Sequence, residues 1–201
     1  MLRVYRTIND ELQIIEDLCQ KGAWISLVDP SESELEAVQA ATGVDPDYLR
    51  APLDEEERSR IEAGDGQILI LINIPYVQDG QAKVLYDTMP FGIIINANSF
   101  ITVCLRHNPL LAELAEARPR IHYTQKRTRF LLQTLFRTAG LYLRYLRQID
   151  RLSDEIEESL HKSLKNEELI RLLNLEKSLV YFNTSLRSNE IVMEKLLRSR
   201  L

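Results

Sequence analysis

The sequence is poor in the residues that build disulfide frameworks and irregular chains. It has two cysteines, seven glycines and seven prolines among 201 residues. Two cysteines exclude a disulfide framework and, by themselves, a four-ligand zinc site, so we expect Cys19 and Cys104 to be small buried hydrophobic residues. The low glycine and proline content, together with 45% hydrophobic residues, predicts a globular fold and excludes collagen-like and low-complexity chains.

The sequence also lacks a long apolar run. Its N-terminal residues have no uninterrupted apolar stretch of the secretory type, so we expect the chain to begin in the cytosol or a similar reducing compartment. The longest uncharged stretch, residues 88–105, is interrupted by Pro90, Gly92 and a polar cluster at 96–99. A membrane-spanning helix needs about 20 mostly apolar residues, so this stretch predicts strands and a turn instead.

Acidic residues are absent from residues 117–149, although the whole chain has a net charge of −5. Eight bases lie there: Arg118, Arg120, Lys126, Arg127, Arg129, Arg137, Arg144 and Arg147. No base-stacking module accompanies them, so we do not expect a nucleic-acid partner. Either they form a solvated helix face with offsetting ion pairs, or they contact an acidic domain or anionic lipid headgroups.

The first half alternates strand and helix signals. Residues 2–5 and 24–28 are candidate strands, and we expect a helix between them. Ser31 and Glu34 have capping-box spacing, which predicts the start of a helix that ends at Gly43. Asp45 and Pro46 then predict a new N-cap and first helical residue.

Residues 67–105 carry a pattern of period two and continuous apolar runs. Four strands are predicted there, at 68–77, 82–89, 91–95 and 100–105. The turn residues Asp79-Gly80 and the cluster at 96–99 favour antiparallel hairpins. We therefore predict an α+β fold in which helices pack on a mostly antiparallel sheet, forming a first domain over residues 1–118.

The second domain, residues 119–201, is predicted to be a long antiparallel helical hairpin. Leucines and other apolar residues recur every seven positions and predict a first helix of about 40 residues, a polar bridge at 161–168 and a second helix beginning at Asn166. The second helix has two candidate seams, Leu172, Leu179, Leu186 and Met193 in one register, and Leu175, Phe182, Asn189 and Leu196 in the other. Because the chain stops without glycine, proline or a polar tail, we expect the natural polypeptide to continue.

Candidate catalytic motifs are missing, so we do not expect an enzyme. The sequence has no recognisable nucleophile, glycine-rich loop or paired-acid motif, and Cys104-x-x-His107 is its only metal-like spacing. The densest acidic cluster runs from Asp54 to Glu57. It is either a charged helix start or a site for a hard cation such as Mg²⁺, which prefers oxygen ligands and keeps several waters.

Motifs in both halves resemble the CorA family of divalent-cation transporters. They cover nearly the whole chain in an order and spacing that fit the predicted layout. They are Trp24-Ile25-x-Leu27, Pro30, Glu34, Gly43-x-Asp45-Pro46-x-x-Leu49, Arg58-x-Arg60-Ile61-Glu62, Ile74-Pro75, Phe100-Ile101-Thr102-Val103, Ile149-Asp150, Asp154-Glu155-Ile156 and Leu175-Glu176-Lys177-Ser178-Leu179-Val180.

The resemblance implies an αβα cytoplasmic domain joined to helices that form a funnel below the membrane. It also implies a homopentamer that transports Mg²⁺, with Co²⁺ or other divalent cations as further substrates, and that sits in the cell membrane through C-terminal helices absent here. This chain would lie on the cytoplasmic side as the ion-sensing and gating domain. By itself it is expected to be a monomer or a weak dimer, because most subunit contact area is missing.

The resemblance also implies a regulatory Mg²⁺ site between subunits, formed by acidic residues that follow a leucine. Here Arg50 and Ala51 follow Leu49 and replace both carboxylates. We hypothesise that Asp54 or Glu55 supplies the lost ligand, because both would share a helix face with Ala51 if that turn is helical.

The sequence also fits two other functions. Heptads alone would equally support a soluble coiled-coil adaptor whose hairpin docks a protein partner. The zinc-transporting branch of the same superfamily shares the fold but not the ion.

Overall fold

The computed structural model describes residues 1–78, 85–116, 123–162 and 166–199. Its strands and helices, in chain order, are β1 Leu2–Ile8, β2 Glu11–Ile15, β3 Ala23–Val28, α1 Glu32–Thr42, α2 Pro46–Arg50, a 3₁₀ turn Ala51–Leu53, β4 Arg60–Gly64, β5 Gln67–Gln78, β6 Leu85–Ile95, β7 Ser99–Cys104, α3 Pro109–Ala115, α4 Arg127–Lys162 and α5 Asn166–Arg198.

Seven strands form one sheet in the order β2-β1-β3-β7-β6-β5-β4. All neighbouring pairs are antiparallel except β3 and β7, which run parallel at the centre. Every residue of these two strands is buried, as expected where helices cover both faces of a parallel pair. The prediction of a mostly antiparallel sheet is confirmed.

Helices cover both faces, so the architecture is an αβα sandwich. Alternation along β5 sends Leu69 and Leu71 to the face covered by α1 and α2, and it sends Ile70 and Ile72 to the face covered by α3, α4 and α5. Phe130 of α4 joins the second core, where it packs edge to face on the rings of Trp24 and Phe100.

The predicted helix boundaries in the first half are confirmed. Ser31 and Glu34 form the complete capping box at the start of α1, and Gly43 ends that helix with φ 66°, where its N–H bonds the Gln39 carbonyl. Asp45 caps α2 by accepting a hydrogen bond from the Asp47 N–H at 2.9 Å, and Pro46 is the first helical residue.

The prediction of a helix between the first two strands is wrong. The chain forms the hairpin strand β2 instead, because Asn9 and Asp10 take φ values of 51° and 66°, the left-handed pair of a tight turn that suits hairpin twist. The dipeptide Asn9-Asp10 is the sequence signal that could have predicted this hairpin turn.

The described parts of the predicted strands 82–89 and 91–95, which are residues 85–89 and 91–95, belong to one strand, β6, rather than two. Residues 82–84 lie outside the described residues. Pro90 is tolerated inside it because β6 pairs with β7 only from Phe91 onward, so no β7 partner needs the missing N–H. The Asp79-Gly80 turn lies outside the described residues.

The long helices α4 and α5 are antiparallel, as predicted. Three residues separate them in the chain, and they meet again far from that connection, where Tyr142 and Phe182 pack edge to face at 5.1 Å. A third core cluster joins them and includes Ile149, Ile156 and Leu175. Helix α4 has 36 residues, close to the predicted length.

Only one of the two candidate seams on α5 is buried. Phe182 is 1% exposed, whereas Leu179 of the other register is 43% exposed, as are Leu172 and Leu186 to a similar degree. The buried stripe is completed by Ser178, Ser185 and Val192. These smaller side chains face the sheet because α5 packs on β5 and β6 as well as on α4.

The division at residue 118 stays a prediction. The helices after it share a core with the sheet before it, and residues 117–122, with Arg118, Arg120 and His122, lie outside the described part of the chain. Within the described ranges, no helix combines the length and apolarity that crossing a membrane requires.

Candidate functional site

The predicted acidic cluster lies in an exposed loop between the 3₁₀ turn and β4. Asp54 has an extended backbone, φ −91° and ψ 118°, so the helical path ends at Leu53. The condition of the sequence hypothesis, a helical turn shared with Ala51, is therefore not met. The Asp54 carboxylate accepts a hydrogen bond from the Glu56 N–H at 3.0 Å, which is an Asx-type turn within the loop.

Glu55 already forms an ion pair with the side chain of Arg106. Its Oε1 lies 2.5 Å from Nη2 of Arg106, just beyond the end of β7. The same guanidinium donates to the Tyr76 hydroxyl at 3.0 Å and lies 5.4 Å from the centroid of that ring. Burial raises the pKa of the Tyr76 phenol, so it stays neutral beside this pair.

The two residues that replace the expected carboxylates have local partners. Arg50 binds the Glu32 carboxylate of α1 at 2.9 Å, and both side chains are exposed. Ala51 packs against the core on the α1 side of the sheet. These positions join α2 to α1 and to the sheet.

No group of three histidine, cysteine, aspartate or glutamate side chains converges as a metal site within residues 1–78, 85–116, 123–162 and 166–199. Asp54 and Glu55 are neighbours in the loop, and their metal-binding role stays a prediction. A site with one or two carboxylates per ion would need ligands from elsewhere or water.

The two cysteines differ from each other. Cys104 is buried, as predicted, and burial raises the pKa of its thiol to about 12. Its Sγ lies 3.3 Å from the Arg106 carbonyl oxygen and accepts a hydrogen bond from the Asn108 amide at 3.4 Å. These surroundings suit a protonated core thiol rather than a metal-bound thiolate.

Cys19 is exposed, so the prediction that it is buried is wrong. Its thiol lies at the surface, 3.6 Å from the Ala41 carbonyl oxygen.

The far end of the acidic loop contacts α5. Ser59 donates from its hydroxyl to Oδ1 of Asn189 at 3.0 Å, and the Asn73 side-chain amide donates to the Ser59 hydroxyl at 3.0 Å. Asn189 was counted among the heptad positions, but its role was missed. The available signal was a polar residue at a core position between apolar heptad residues.

Several residues of the basic run, residues 117–149, contact other groups of the same chain. Arg137 and Arg144 both bind the Glu113 carboxylate of α3, at 3.3 and 2.8 Å. Lys126 and Arg129 lie over the ring of Tyr123, and Arg127 donates to the Asn96 carbonyl. The contacts of Arg137 and Arg144 are ion pairs that join the basic run to α3, whereas Lys126, Arg127 and Arg129 contact a ring or a carbonyl group.

The model of the family described as CorA-like Mg²⁺ transporter protein matches residues 19–201. The chain belongs to this family. The curated cobalt/magnesium transport protein CorA of Methanocaldococcus jannaschii is 28% identical over 182 residues, which are 89% of this chain and 56% of that relative. The chain thus spans about half the length of the curated CorA relative.

Solved CorA structures share the fold. The soluble domain of CorA from Methanocaldococcus jannaschii superposes with a TM-score of 0.84 at 23% identity, covering 100% of this chain and 80% of that one. The complete CorA magnesium transporter from the same organism gives a TM-score of 0.81 at 23% identity and covers 100% and 64%. The ZntB cytoplasmic domain from Vibrio parahaemolyticus gives a TM-score of 0.58 at 10% identity and covers 98% and 97%.

Proposed function

We propose that this chain is the cytoplasmic cation-sensing and gating domain of a Mg²⁺ transporter that also accepts Co²⁺. The observation that carries the proposal is the family match, which extends over residues 19–201 and so includes both the sheet and the two long helices. Transport itself would belong to membrane segments outside this chain, in a homopentamer of the cell membrane. The same match favours a transporter over a soluble coiled-coil adaptor.

Cation sensing would act through a population shift. In the closed state, Mg²⁺ would bridge acidic loops of one subunit to carboxylates of its neighbour, and loss of the ion would let like-charged surfaces separate. Asp54 and Glu55 are exposed and can reach a partner surface. Glu55 would have to leave Arg106, but an exposed ion pair contributes only about 0–1 kcal/mol, so a bound cation can replace it.

The test is a Mg²⁺ titration of closure in the intact transporter with Asp54→Ala and Glu55→Ala. We expect each substitution to raise the Mg²⁺ concentration needed for half-maximal closure by about tenfold, the effect of losing about 1.4 kcal/mol of binding free energy. Glu32→Ala is the matched control, because Glu32 is an exposed carboxylate paired to Arg50 outside this loop. Unchanged closure in both loop variants would remove Asp54 and Glu55 from the site.

A second candidate is transport of Zn²⁺, because the ZntB cytoplasmic domain shares the fold over nearly the whole chain. Isotope uptake with competing ions separates the two. Mg²⁺ uptake that excess Co²⁺ suppresses would support the first function, and uptake of Zn²⁺ alone would support the second.

A further inference from the structure

The backbone of Asn73 in β5 is left without a strand partner on one side. β4 begins at Arg60, which pairs with Leu71, so β4 ends before it reaches Asn73. Asn73 and Pro90 of β6 form a non-hydrogen-bonded pair, so both backbone groups of Asn73 point away from β6, to the side that a longer β4 would occupy. The N–H and C=O of Asn73 therefore need partners from outside the sheet, because unpaired buried backbone groups are costly.

Asn189 of α5 supplies both partners. Its Oδ1 accepts the Asn73 N–H at 2.8 Å, and its Nδ2 donates to the Asn73 carbonyl at 2.8 Å. The carboxamide thus makes the two bonds that a peptide of a longer β4 would make. The Tyr142 hydroxyl of α4 donates to the same carbonyl at 2.9 Å.

The same carboxamide oxygen holds the acidic loop. Oδ1 of Asn189 accepts a second hydrogen bond, from the Ser59 hydroxyl at the end of loop 54–59. Asn189 is 6% exposed, so water competes little for these bonds. One side chain of α5 therefore bonds both to the loop that carries Asp54 and Glu55 and to the sheet.

We propose that Asn189 is the positioning residue that couples loop 54–59 to α5, an inference that rests on the cation-sensing role proposed above. A change in the loop that withdraws Ser59 removes one of the two bonds on Oδ1 and loosens the turn of α5 around residue 189. Conversely, displacement of α5 removes the acceptor that holds the end of the loop. Coupling of this kind must be reciprocal.

The test is amide hydrogen exchange on the whole chain, read in two segments, loop 54–59 and α5 residues 187–193. Ser59→Ala removes the hydroxyl that donates to Oδ1 of Asn189, and it leaves both hydrogen bonds between Asn189 and Asn73 in place. We expect it to speed exchange in residues 187–193 by about fivefold, the effect of one net hydrogen bond. Ser59→Thr keeps the hydroxyl and is expected to restore slow exchange.

The reverse direction uses Asn189→Ala, which is expected to speed exchange in loop 54–59. Ser185→Ala is the matched control, because Ser185 also lies on the sheet-facing side of α5 but bonds the Thr88 hydroxyl at 2.7 Å and not the loop. The coupling is overturned if Ser59→Ala leaves exchange in residues 187–193 unchanged. It is also overturned if Ser185→Ala speeds exchange in loop 54–59 as much as Asn189→Ala does.

Addition of MgCl₂ to the intact transporter, in which the neighbouring subunits are present, separates this inference from the proposed function. If Mg²⁺ alters neither segment while the variants respond as expected, cation sensing by the loop fails and the coupling stands. If Mg²⁺ slows exchange in the loop but Ser59→Ala has no effect on α5, the coupling fails and cation sensing stands.

Discussion

Gly92 determines how closely the acidic loop approaches the sheet. The residue is buried in β6, and a Cβ atom built on it would overlap the ring of Pro52 in the 3₁₀ turn. The turn can therefore lie directly on the strand only because residue 92 has no side chain. Since Asp54 follows that turn immediately, this contact also positions the predicted cation ligands.

We expect Gly92→Ala to lower the free energy of unfolding by about 2 kcal/mol, because the added methyl group must push Pro52 away in a packed region. Urea denaturation measures the change. Gly140→Ala is the matched control, since nothing lies within 4 Å of a Cβ at that exposed position of α4. It should stabilise the chain by up to about 1 kcal/mol through helix propensity. Equal stability of Gly92→Ala and the unmodified chain would contradict the packing argument.

At the scale of elements, α5 has two apolar faces with different roles. The face with Phe182 and Leu175 packs into the cluster shared with α4 and β6. The opposite register carries Leu172, Leu179 and Leu186 at the surface. Helix α4 has a similar outer stripe, in which Phe136 is 79% exposed. Within this chain, the stability of the helix pair thus depends on one face of α5.

We expect Phe182→Ala to cost about 3–5 kcal/mol and Leu179→Ala less than about 1 kcal/mol. The first substitution opens a cavity among aromatic rings, whereas the second removes a side chain that is already half in water. Both variants can be compared by chemical denaturation at equal protein concentration. A cost for Leu179→Ala that matched Phe182→Ala would show that the other register is the buried one.

At the scale of the whole molecule, the sandwich and its helices bury a cysteine thiol, Cys104, and a tyrosine phenol, Tyr142, and both stay protonated because water is excluded from them. Burial raises the pKa of Cys104 from 9.0 to about 12, and it raises the pKa of Tyr142 above its ordinary value. The folded chain thus keeps protons that the unfolded chain loses at high pH. Stability from these groups is fully present below about pH 9 and is lost as the pH rises.

We therefore expect the free energy of unfolding to fall between about pH 9 and pH 12. Cys104→Ala should flatten the part of the profile that begins near pH 9, because the thiol ionises first in the unfolded chain. Cys19→Ala, which removes the exposed cysteine instead, is the matched control. Denaturant midpoints measured at one-unit pH intervals give both slopes, and identical profiles for the two cysteine variants would contradict the assignment.

Local signals in the sequence predicted much of the fold. The capping box at Ser31 and the left-handed Gly43 depend on residues three or four positions apart, so they could be recognised without the rest of the chain. The choice between the two heptad registers of α5 could not be recognised in this way, because it depends on contacts with the sheet such as that of Ser178 with Tyr86, 92 positions away along the chain. Periodicity counts apolar positions but does not say which stripe meets a partner.

The candidate site was predictable only in part. The acidic residues Asp54 and Glu55 stand out by composition, but the ion pair of Glu55 with Arg106 joins residues 51 positions apart. The link from Ser59 to Asn189 spans 130 positions. No local pattern predicts such a pair, because it forms only after β4 has ended early and α5 has packed on the sheet.

The parallel pairing of β3 with β7 joins two segments that are synthesised at different times. Residues 23–28 bind residues 99–104 at the centre of the sheet, so a ribosome releases the first strand long before its neighbour. Until then the nascent polypeptide exposes the unpaired backbone edge of β3 and its apolar side chains, the kind of surface that aggregates. We expect slow maturation typical of folds with distant contacts, and dependence on chaperones during translation.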